Sequence, residues 1–315
     1  MQKIDNPYGM IQTVEHCESF SIYRSQDSTG DCEVTVYPVF SGIELVYYDV
    51  HMQSCDINLA KGREMLIITH CQEGRIEFEY KNGEYLYLAS GDLSIQKNTE
   101  NIRHRYCPLS HYHGVSVAID MNRVPRCFSC ILDDVFVSPE ELEMKFCSEK
   151  PYSIMRENIS IEHIFSELYS VPENIRKGYH KVKVRELCLF RSGLESKGDR
   201  KDRRYFSRSQ VTAAKEAKKY LLAHLDEHIT ITELADMLGI SSTSLKICFK
   251  GVYGDTINGY ITNCKMQKAA SLLKNTDKSV LEIAGIVGYN NGSKFAGAFR
   301  RVMNKSPNEY RKSLV

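Results

Sequence analysis

Residues 231–250 read ITELADMLGISSTSLKICFK, and their pattern is the clearest structural signal in the C-terminal third of the chain. Gly239 separates two apolar patterns of helical spacing, and Ser241 can cap the second of the two helices. The inward-facing side chains would be Leu234, Ala235 and Leu238 in the first helix and Leu245, Cys248 and Phe249 in the second. The pattern predicts a helix-turn-helix, in which the outer face of the second helix meets a DNA major groove.

The same pattern occurs again in residues 280–300. The first helix repeats at an offset of 49 residues, and after a one-residue insertion in the turn the second repeats at an offset of 50. Asn304 replaces Gly254, and Asn tolerates the left-handed conformation expected at a helix end. Both copies open with a capping box, Thr230 to Glu233 and Ser279 to Glu282. The matched pairs are Leu234/Ile283, Ala235/Ala284, Leu238/Val287, Gly239/Gly288, Thr243/Ser293, Leu245/Phe295, Phe249/Phe299, Lys250/Arg300, Asn258/Asn308 and Tyr260/Tyr310.

Residues from about 209 to 315 resemble the DNA-binding domain of the AraC/XylS family of bacterial transcription regulators. The motif residues are Leu234-Ala235, Gly239, Leu245, Phe249-Lys250, Ala269-Ala270, Leu272-Leu273, Ile283-Ala284, Gly288-Tyr289, Phe295, Phe299-Arg300, Ser306-Pro307 and Tyr310-Arg311. The resemblance implies two helix-turn-helix units in successive major grooves of double-stranded DNA. It further implies a cytoplasmic activator that responds to an unknown small-molecule effector and acts on RNA polymerase.

A long helix over about residues 256–273 would join the two units. At about 1.5 Å per residue it spans roughly 27 Å, which suits recognition helices about one DNA turn, or roughly 34 Å, apart. Ala269, Leu272 and Leu273 are expected to tie this helix to both units.

Helix geometry selects the candidate DNA contacts. In the first unit the outward positions are Ser242, Thr243, Lys246, Ile247 and Lys250. The base-contacting positions of the family fall on Thr243, Lys246 and Ile247, and Lys246 can donate to guanine O6 and N7.

In the second unit the outward positions are Ser293, Lys294, Ala296, Gly297 and Arg300. Because Ala296 and Gly297 have no side-chain donor, we expect this unit to contact phosphates more than bases. Exposed lysines on a helix are often only solvated; the phosphate candidates here are Lys250, Lys294, Arg300 and Arg301.

Charge is distributed unevenly along the 315 residues, although the net charge is only +1. Residues 209–315 contain 15 Lys and Arg against 9 Asp and Glu, residues 196–208 contain 6 against 2, and the first 195 contain 20 against 29. A basic C-terminal part favours a polyanionic partner. The eleven scattered cysteines favour reduced thiols, and no stretch is long and apolar enough to cross a bilayer.

The first part of the chain reads as β-structure, with alternating or apolar runs at residues 33–40, 43–50, 64–70, 75–80, 84–88, 92–96 and 112–119. Asn82-Gly83 predicts a two-residue hairpin in which both residues have positive φ. The turn at residues 90–93 resembles the cupin-like sensor domains of the family. Many short strands predict a small barrel or sandwich. Its aromatic side chains could surround a ligand, or they could only fill the core or cover the surface. They are Tyr47, Tyr48, Phe78, Tyr80, Tyr85 and Tyr87.

A helical segment is expected from about Pro139. Ile161, Ile164, Phe165 and Leu168 form one apolar stripe, and residues 179–195 form a second helix that is apolar on more than one face. Such a helix must be buried, either on the barrel or against a second copy of the chain. Family resemblance favours a homodimer.

The predicted fold class is α+β, in four parts. Residues 1–130 form a β-rich, cupin-like effector-sensing domain, and residues 131–195 form a helical segment for dimerisation. Residues 196–208 form a basic linker, and residues 209–315 form an all-α DNA-binding domain of two helix-turn-helix units.

Two other clusters could carry chemistry. Cys127 and Cys130 form a C-x-x-C without a second pair, and His111 and His113 would share a strand face near His104 and Cys107. No Glu follows the histidines as a cupin metal site requires, so we predict no metal, no cofactor and no enzymatic activity. The alternative is a cupin-like protein that binds a small molecule or a metal and whose DNA binding is constitutive.

Overall fold

The polypeptide divides between residues 205 and 206 into an N-terminal sheet-rich unit and a C-terminal helical unit. The computed structural model describes residues 12–54, 64–97, 102–125, 137–148, 152–155, 159–193, 206–227 and 229–312. Most of the predicted basic linker, as well as Cys127 and Cys130, lies outside the described residues.

The strands of the N-terminal unit pair in antiparallel fashion throughout the described residues. Their order is β1-β2-β3-β4-β9-β5-β7-β10, and β6 and β8 both pair with β5. The bounds are β1 Gln12–His16, β2 Ser21–Asp27, β3 Gly30–Phe40, β4 Ile43–His51, β5 Met65–Tyr80, β6 Tyr85–Ala89, β7 Leu93–Lys97, β8 Ile102–Tyr106, β9 Tyr112–Asp120 and β10 Tyr152–Met155.

Strand β5 corrects the expectation of two separate strands at residues 64–70 and 75–80. It runs unbroken for 16 residues, with a register shift between Cys71 and Glu73. Gly74 follows the bulge with φ of +81°, and a Cβ there would lie 2.3 Å from the His111 carbonyl oxygen. The bulge lets the first part of β5 pair with β7 and β9 and the second part pair with β6 and β8.

The hairpin between β5 and β6 differs from the predicted two-residue turn. Tyr80 N–H donates to the Glu84 carbonyl over 2.9 Å, and Gly83 N–H donates to the Tyr80 carbonyl over 3.0 Å, which closes a three-residue loop. Only Gly83 has positive φ, +82°, because the Asn82 side chain instead accepts a hydrogen bond of 3.0 Å from Glu84 N–H.

Two apolar clusters lie on opposite faces of the sheet. The interior cluster joins side chains from both ends of β5 with those of its neighbours, among them Val34, Val46, Phe78, Leu88 and Tyr112. The second cluster uses the alternate residues of the same strands, among them Leu45, Val115 and Val117. Alternation of side chains along each strand therefore gives the sheet two buried faces.

Helices cover the second face. They are α1 Pro139–Cys147, α2 Ile159–Leu168 and α3 Arg176–Gly193. The predicted stripe of Ile161, Ile164, Phe165 and Leu168 is buried against the sheet. Strand β10 lies within the segment predicted to be helical, where it pairs Tyr152 with Gln96 of β7, so that segment is not purely helical.

Helix α3 is less buried than its composition suggested. Val184, Leu187 and Cys188 pack on the sheet of the same chain, whereas Val182 is 61% exposed. The apolar face that favoured a dimer is thus occupied within the monomer, so this helix no longer argues for a dimer. Homodimerisation stays a prediction.

The C-terminal unit consists of α4 Arg208–Ala223, α5 Ile231–Met237, α6 Ser242–Tyr253, α7 Ile257–Asn275, α8 Val280–Ile286, α9 Gly292–Met303 and α10 Pro307–Lys312. Helix α7 matches the predicted long helix and is about 28 Å long at about 1.5 Å per residue over its 19 residues. Within the described part of the chain, no helix is long and apolar enough to span a bilayer.

Candidate DNA-binding interface

Helices α5 and α6 form the first pair, and local hydrogen bonds fix their ends. Thr230 Oγ1 accepts from Glu233 N–H over 3.2 Å, while the Glu233 carboxylate accepts from Thr230 N–H over 2.8 Å. Gly239 turns the chain with φ of +64°, and Ser241 caps α6 by accepting from Ser244 N–H over 3.2 Å. The predicted capping box and turn are confirmed.

Helices α8 and α9 form the second pair in the same way. Ser279 N–H donates to the Glu282 carboxylate over 2.7 Å, and hydrogen bonds from Ser279 lower the pKa of Glu282. Gly288 has φ of +76°, and a Cβ there would lie 2.6 Å from the Asp226 carbonyl oxygen. Asn291 caps α9 through Lys294 N–H over 2.9 Å. The helix ends and the turn of each pair are therefore stabilised by capping residues and a glycine that belong to that pair.

The ends of the longer helices confirm the predicted exchange of Asn for Gly. Helix α6 ends at Gly254 with φ of +81°, and α9 ends at Asn304 with φ of +57°. Both residues adopt the left-handed backbone conformation, so the two helix pairs are equivalent in backbone conformation at this position as well as in sequence.

Helix α4 supports the first pair and was not identified from the sequence. Gln210 Nε2 donates to Ser244 Oγ over 3.2 Å, and Cys248 Sγ donates to the Gln210 carbonyl over 3.1 Å. A Cβ on Gly251 would lie 2.1 Å from the Phe206 ring, so the absence of a side chain there lets the ring pack closely on α6. The capping motif of Ser207 and Gln210 is the signal that could have revealed this helix.

Helix α7 contacts the two pairs through its two ends. Near its start, the Tyr260 ring lies 5.6 Å from the ring of Phe249 and 5.3 Å from that of Tyr253. Farther along, Ala269 and Leu273 are buried in the core of the second pair. The expected contact of these residues with the second pair is confirmed, and their contact with the first pair stays a prediction.

The predicted contact residues of the first pair lie on its outer side. Thr243, Lys246 and Lys250 are exposed, Ile247 is 39% exposed, and Ser242 is half-buried. The next residues around the helix, Leu245, Cys248 and Phe249, are buried. Helix α6 thus presents one polar and basic face to solvent.

Helix α9 has the corresponding face. Ser293, Lys294, Gly297 and Arg300 are exposed, and Ala296 is half-buried. A Cβ on Gly297 would meet nothing within 4 Å, so the backbone is open to close approach there. Its buried face consists of Phe295, Ala298 and Phe299.

Basic groups also occupy the last turn of α9 and the residues that follow it. Arg301 is exposed, and Arg300 and Lys305 lie near Glu309, whose pKa is lowered mainly by hydrogen bonds from Ser306 and further by these two cations. Arg311 has a structural contact, because its guanidinium donates to the Lys278 carbonyl over 2.5 Å. The outer faces of α6 and α9 therefore both contribute exposed basic groups.

The interior of the sheet unit contains a pocket. Its polar lining includes Thr69 and Ser116, whose hydroxyl oxygens lie 2.7 Å apart, and Tyr112, whose buried hydroxyl has no hydrogen-bond partner among the described residues. Of the aromatic residues predicted to hold a ligand, Tyr48 and Phe78 line it. The others have different surroundings: Tyr47 donates to the Leu168 carbonyl over 3.0 Å on the helix-covered face.

The histidines near residue 111 are arranged differently from the prediction. Strand β9 begins at Tyr112, so only His113 lies on it, although its ring is 5.6 Å from that of His111. His104 lies on β8, and Cys107 is buried in the interior cluster. The sequence missed two close neighbours of His113, namely Asp49 and His51 on β4.

Comparison with known proteins bears on the C-terminal unit. The family model described as "Helix-turn-helix domain" matches residues 234–313. The xylose operon regulatory protein of Escherichia coli is 34% identical over 96 residues, which are 30% of this chain and 24% of that protein. The transcriptional activator Btr of Bacillus subtilis is 24% identical over 229 residues, 70% of this chain and 40% of Btr. The matched regions thus span well under two thirds of these relatives.

Among solved structures, a transcriptional regulator described as an AraC-type DNA-binding-domain protein from Chromobacterium violaceum is 26% identical. The similarity covers 33% of this chain and 93% of that chain, with a TM-score of 0.31.

The C-terminal unit is therefore a helix-turn-helix DNA-binding domain. The match to this domain and to a regulator of the xylose operon supports the resemblance to the AraC/XylS family that the sequence indicated.

Proposed function

We propose that the protein is a sequence-specific transcription regulator with two DNA-binding helices, α6 and α9. The observation that supports this proposal is the repeated helix pair. In each pair the second helix, α6 or α9, buries one face that contains aromatic side chains and leaves a polar, basic face exposed. Two such faces linked by α7 suit two major grooves of double-stranded DNA.

Within this proposal the two helices have different roles. Thr243, Lys246 and Ile247 of α6 reach base edges, with Lys246 donating to guanine and Ile247 packing on thymine methyl groups. Helix α9 presents Ala296 and Gly297 at its centre, so Lys294 and Arg300 bind phosphates and orient the domain.

The interior pocket is the proposed effector site. It combines apolar walls such as Ile76 and Phe78 with a few polar groups, and a ligand could supply the partner that the buried Tyr112 hydroxyl lacks within the described part of the chain. Ligand binding would favour one arrangement of the chain over another and so alter DNA binding. The remaining expectations of a cytoplasmic activator that contacts RNA polymerase, and of a homodimer, belong to this proposal; the printed name of Btr describes an activator.

The test is quantitative footprinting of the full chain on the DNA flanking its own gene, with and without a metabolite extract. We expect a protected site whose occupancy changes with the extract, and we expect Ser116→Phe, which fills the pocket, to protect the site without responding. Thr69→Ser is the matched control that keeps the pocket open.

Two outcomes would contradict the proposal. The absence of any protected site would refute sequence-specific binding. A site whose occupancy the extract alters equally in the wild type and Ser116→Phe would refute the pocket as the effector site, while occupancy that no extract alters would favour constitutive DNA binding.

A further inference from the structure

Three side chains from neighbouring strands converge on the face of the sheet that the helices otherwise cover. Register places Asp49 of β4 opposite His113 of β9, and His51 follows two residues after Asp49 on the same face. Each residue offers one atom that could coordinate a metal ion, a ring nitrogen or a carboxylate oxygen, and these three atoms all lie within 4.8 Å of one another. The cluster, which we call the β4–β9 triad, is formed by strand pairing and not by a contiguous motif.

The distances within the triad match those of a coordination polyhedron. Asp49 Oδ1 lies 2.9 Å from His51 Nε2 and 3.1 Å from His113 Nε2, and the two imidazole nitrogens are 3.4 Å apart. Metal–ligand bonds of about 2.0–2.1 Å in tetrahedral geometry place neighbouring ligand atoms roughly 3.3–3.4 Å apart. Small side-chain rotations would therefore bring all three atoms to one ion.

We propose that the β4–β9 triad binds a divalent transition-metal ion of the zinc class. Two imidazoles and one carboxylate suit Zn²⁺, Ni²⁺ or Cu²⁺, whereas Mg²⁺ and Ca²⁺ require mostly oxygen ligands. Three protein ligands leave a fourth position that water can occupy.

Glu73 supports the site from the opposite side. It pairs with His113 across β5 and β9, and its carboxylate lies 3.7 Å from His113 Nδ1, the ring nitrogen that faces away from the triad. This distance is longer than a hydrogen bond, but a small rotation of the ring would let His113 Nδ1–H donate to the carboxylate, and such a bond orients a ligating imidazole and raises its basicity. The Glu73 carboxylate also lies 3.7 Å from Nε2 of His111, a buried nitrogen that forms no hydrogen bond with the residues described here, so a further imidazole lies nearby.

The surroundings allow an ion to enter. The side chains of His51 and Asp49 are 54% and 62% exposed. The side chain of His113 is 30% exposed, so neighbouring residues cover more of it. Asp31, which is opposite His51 on β3, adds negative charge to the same face. The site is accessible and acidic, and the strand backbone fixes the spacing of its ligands.

This site is separate from the effector pocket. Tyr112 and Ser116 point into the interior from β9, whereas His113 points to the opposite face of the same strand. Metal binding therefore does not require the pocket to be occupied, and the two proposals can fail independently.

The experiment uses the full chain, stripped of metal by a chelator and kept reduced. Titration with Co²⁺ is followed by absorption, and Zn²⁺ affinity is measured by competition. We expect one equivalent of Co²⁺ without a thiolate-to-metal charge-transfer band. We expect His51→Ala, His113→Ala and Asp49→Asn each to weaken binding by about tenfold or more, and Glu73→Gln to weaken it by about tenfold.

The controls separate this site from other donors. His163→Ala removes an exposed histidine of α2 and should leave the affinity unchanged, as should replacement of Cys127 and Cys130 by Ser. Asp49 and His51 are exposed and His113 is half-buried, so thermal unfolding of the apo Asp49 and His51 variants should match the wild type. Unchanged affinity in the His51→Ala, His113→Ala double variant, a charge-transfer band, or no uptake of metal by the wild type would overturn the proposal.

Discussion

Gly114 shows how a single missing side chain shapes the sheet interior. A Cβ at this position would lie 2.4 Å from Tyr112 Oη and 2.7 Å from the His70 carbonyl oxygen. Both neighbours are buried, so neither can move freely. We predict that Gly114→Ala lowers the free energy of unfolding by about 1–3 kcal/mol, measured by urea denaturation. Gly178→Ala, where a Cβ meets nothing within 4 Å, is the control and should be neutral or slightly stabilising; equal effects would contradict the close approach.

His180 is a buried histidine whose charge opposes folding. Burial, together with the nearby Arg176 guanidinium, lowers its pKa from 6.5 to about 4. Its Nε2 lies 3.2 Å from Tyr47 Oη, within reach of a hydrogen bond. Between these two pH values the unfolded chain binds more protons than the folded chain, so stability should fall as the pH drops through this window.

We predict that His180→Gln flattens this pH dependence by up to one proton, measured as the slope of unfolding free energy against pH. The exposed His163 provides the control, because His163→Gln should leave the slope unchanged. A slope that His180→Gln does not alter would show that other groups dominate the titration, such as His70, whose pKa is also lowered by burial.

Lys246 and Arg300 test the division of labour between the two helices. We predict that Lys246→Ala lowers affinity for the specific site by about 1–3 kcal/mol and relaxes preference at one base pair. Arg300→Ala should weaken binding on all sequences and reduce the steepness of the salt dependence. Anisotropy titrations on specific and random DNA at several salt concentrations distinguish the two. Equal losses on both DNAs for Lys246→Ala, or an unchanged salt slope for Arg300→Ala, would refute the assigned role.

At the scale of elements, capping hydrogen bonds stabilise the short helices, in which few N–H groups have a partner within the helix. Helix α5 has only seven residues, and Thr230 satisfies one of its unpaired N–H groups. We predict that Thr230→Ala costs about 1 kcal/mol of stability, measured by thermal unfolding of the full chain with attention to the transition of the C-terminal unit. Thr232→Ala, two residues later on an exposed position, is the matched control and should cost nothing; equal losses would contradict the cap.

The helix pairs could be read from the sequence because their signals are local. Gly239, the capping boxes and the apolar spacing all act within a few residues, and the structure reproduces them. The β-rich part was harder. Strand β10 lies about 56 residues from its partner β7, and the unbroken course of β5 depends on a bulge that single-strand alternation does not reveal. The β4–β9 triad was missed for the same reason, since Asp49 and His113 meet only through strand register.

At the scale of the whole molecule, the C-terminal unit has the features of an independent fold. The core of its second helix pair contains only residues 266–310, and α4 closes the first pair through Gln210 and Phe206. These contacts of the two pairs lie within residues 206–312, the described part of the C-terminal unit. The basic charge is concentrated in the same part of the sequence.

We predict that a fragment of residues 206–315 folds cooperatively and binds the specific DNA site. Its preference at the base pair contacted by Lys246, and the dependence of its affinity on salt concentration, should be similar to those of the full chain. Because it lacks the pocket, its affinity should not respond to any extract that alters occupancy by the full chain. Circular dichroism checks the fold, and anisotropy with and without extract checks the response. The same fragment carrying Gly288→Val, whose side chain would strike the Asp226 carbonyl, should fail to fold and serves as the negative control. An unfolded wild-type fragment, or one whose binding responds to the extract, would show that the DNA-binding unit is not autonomous.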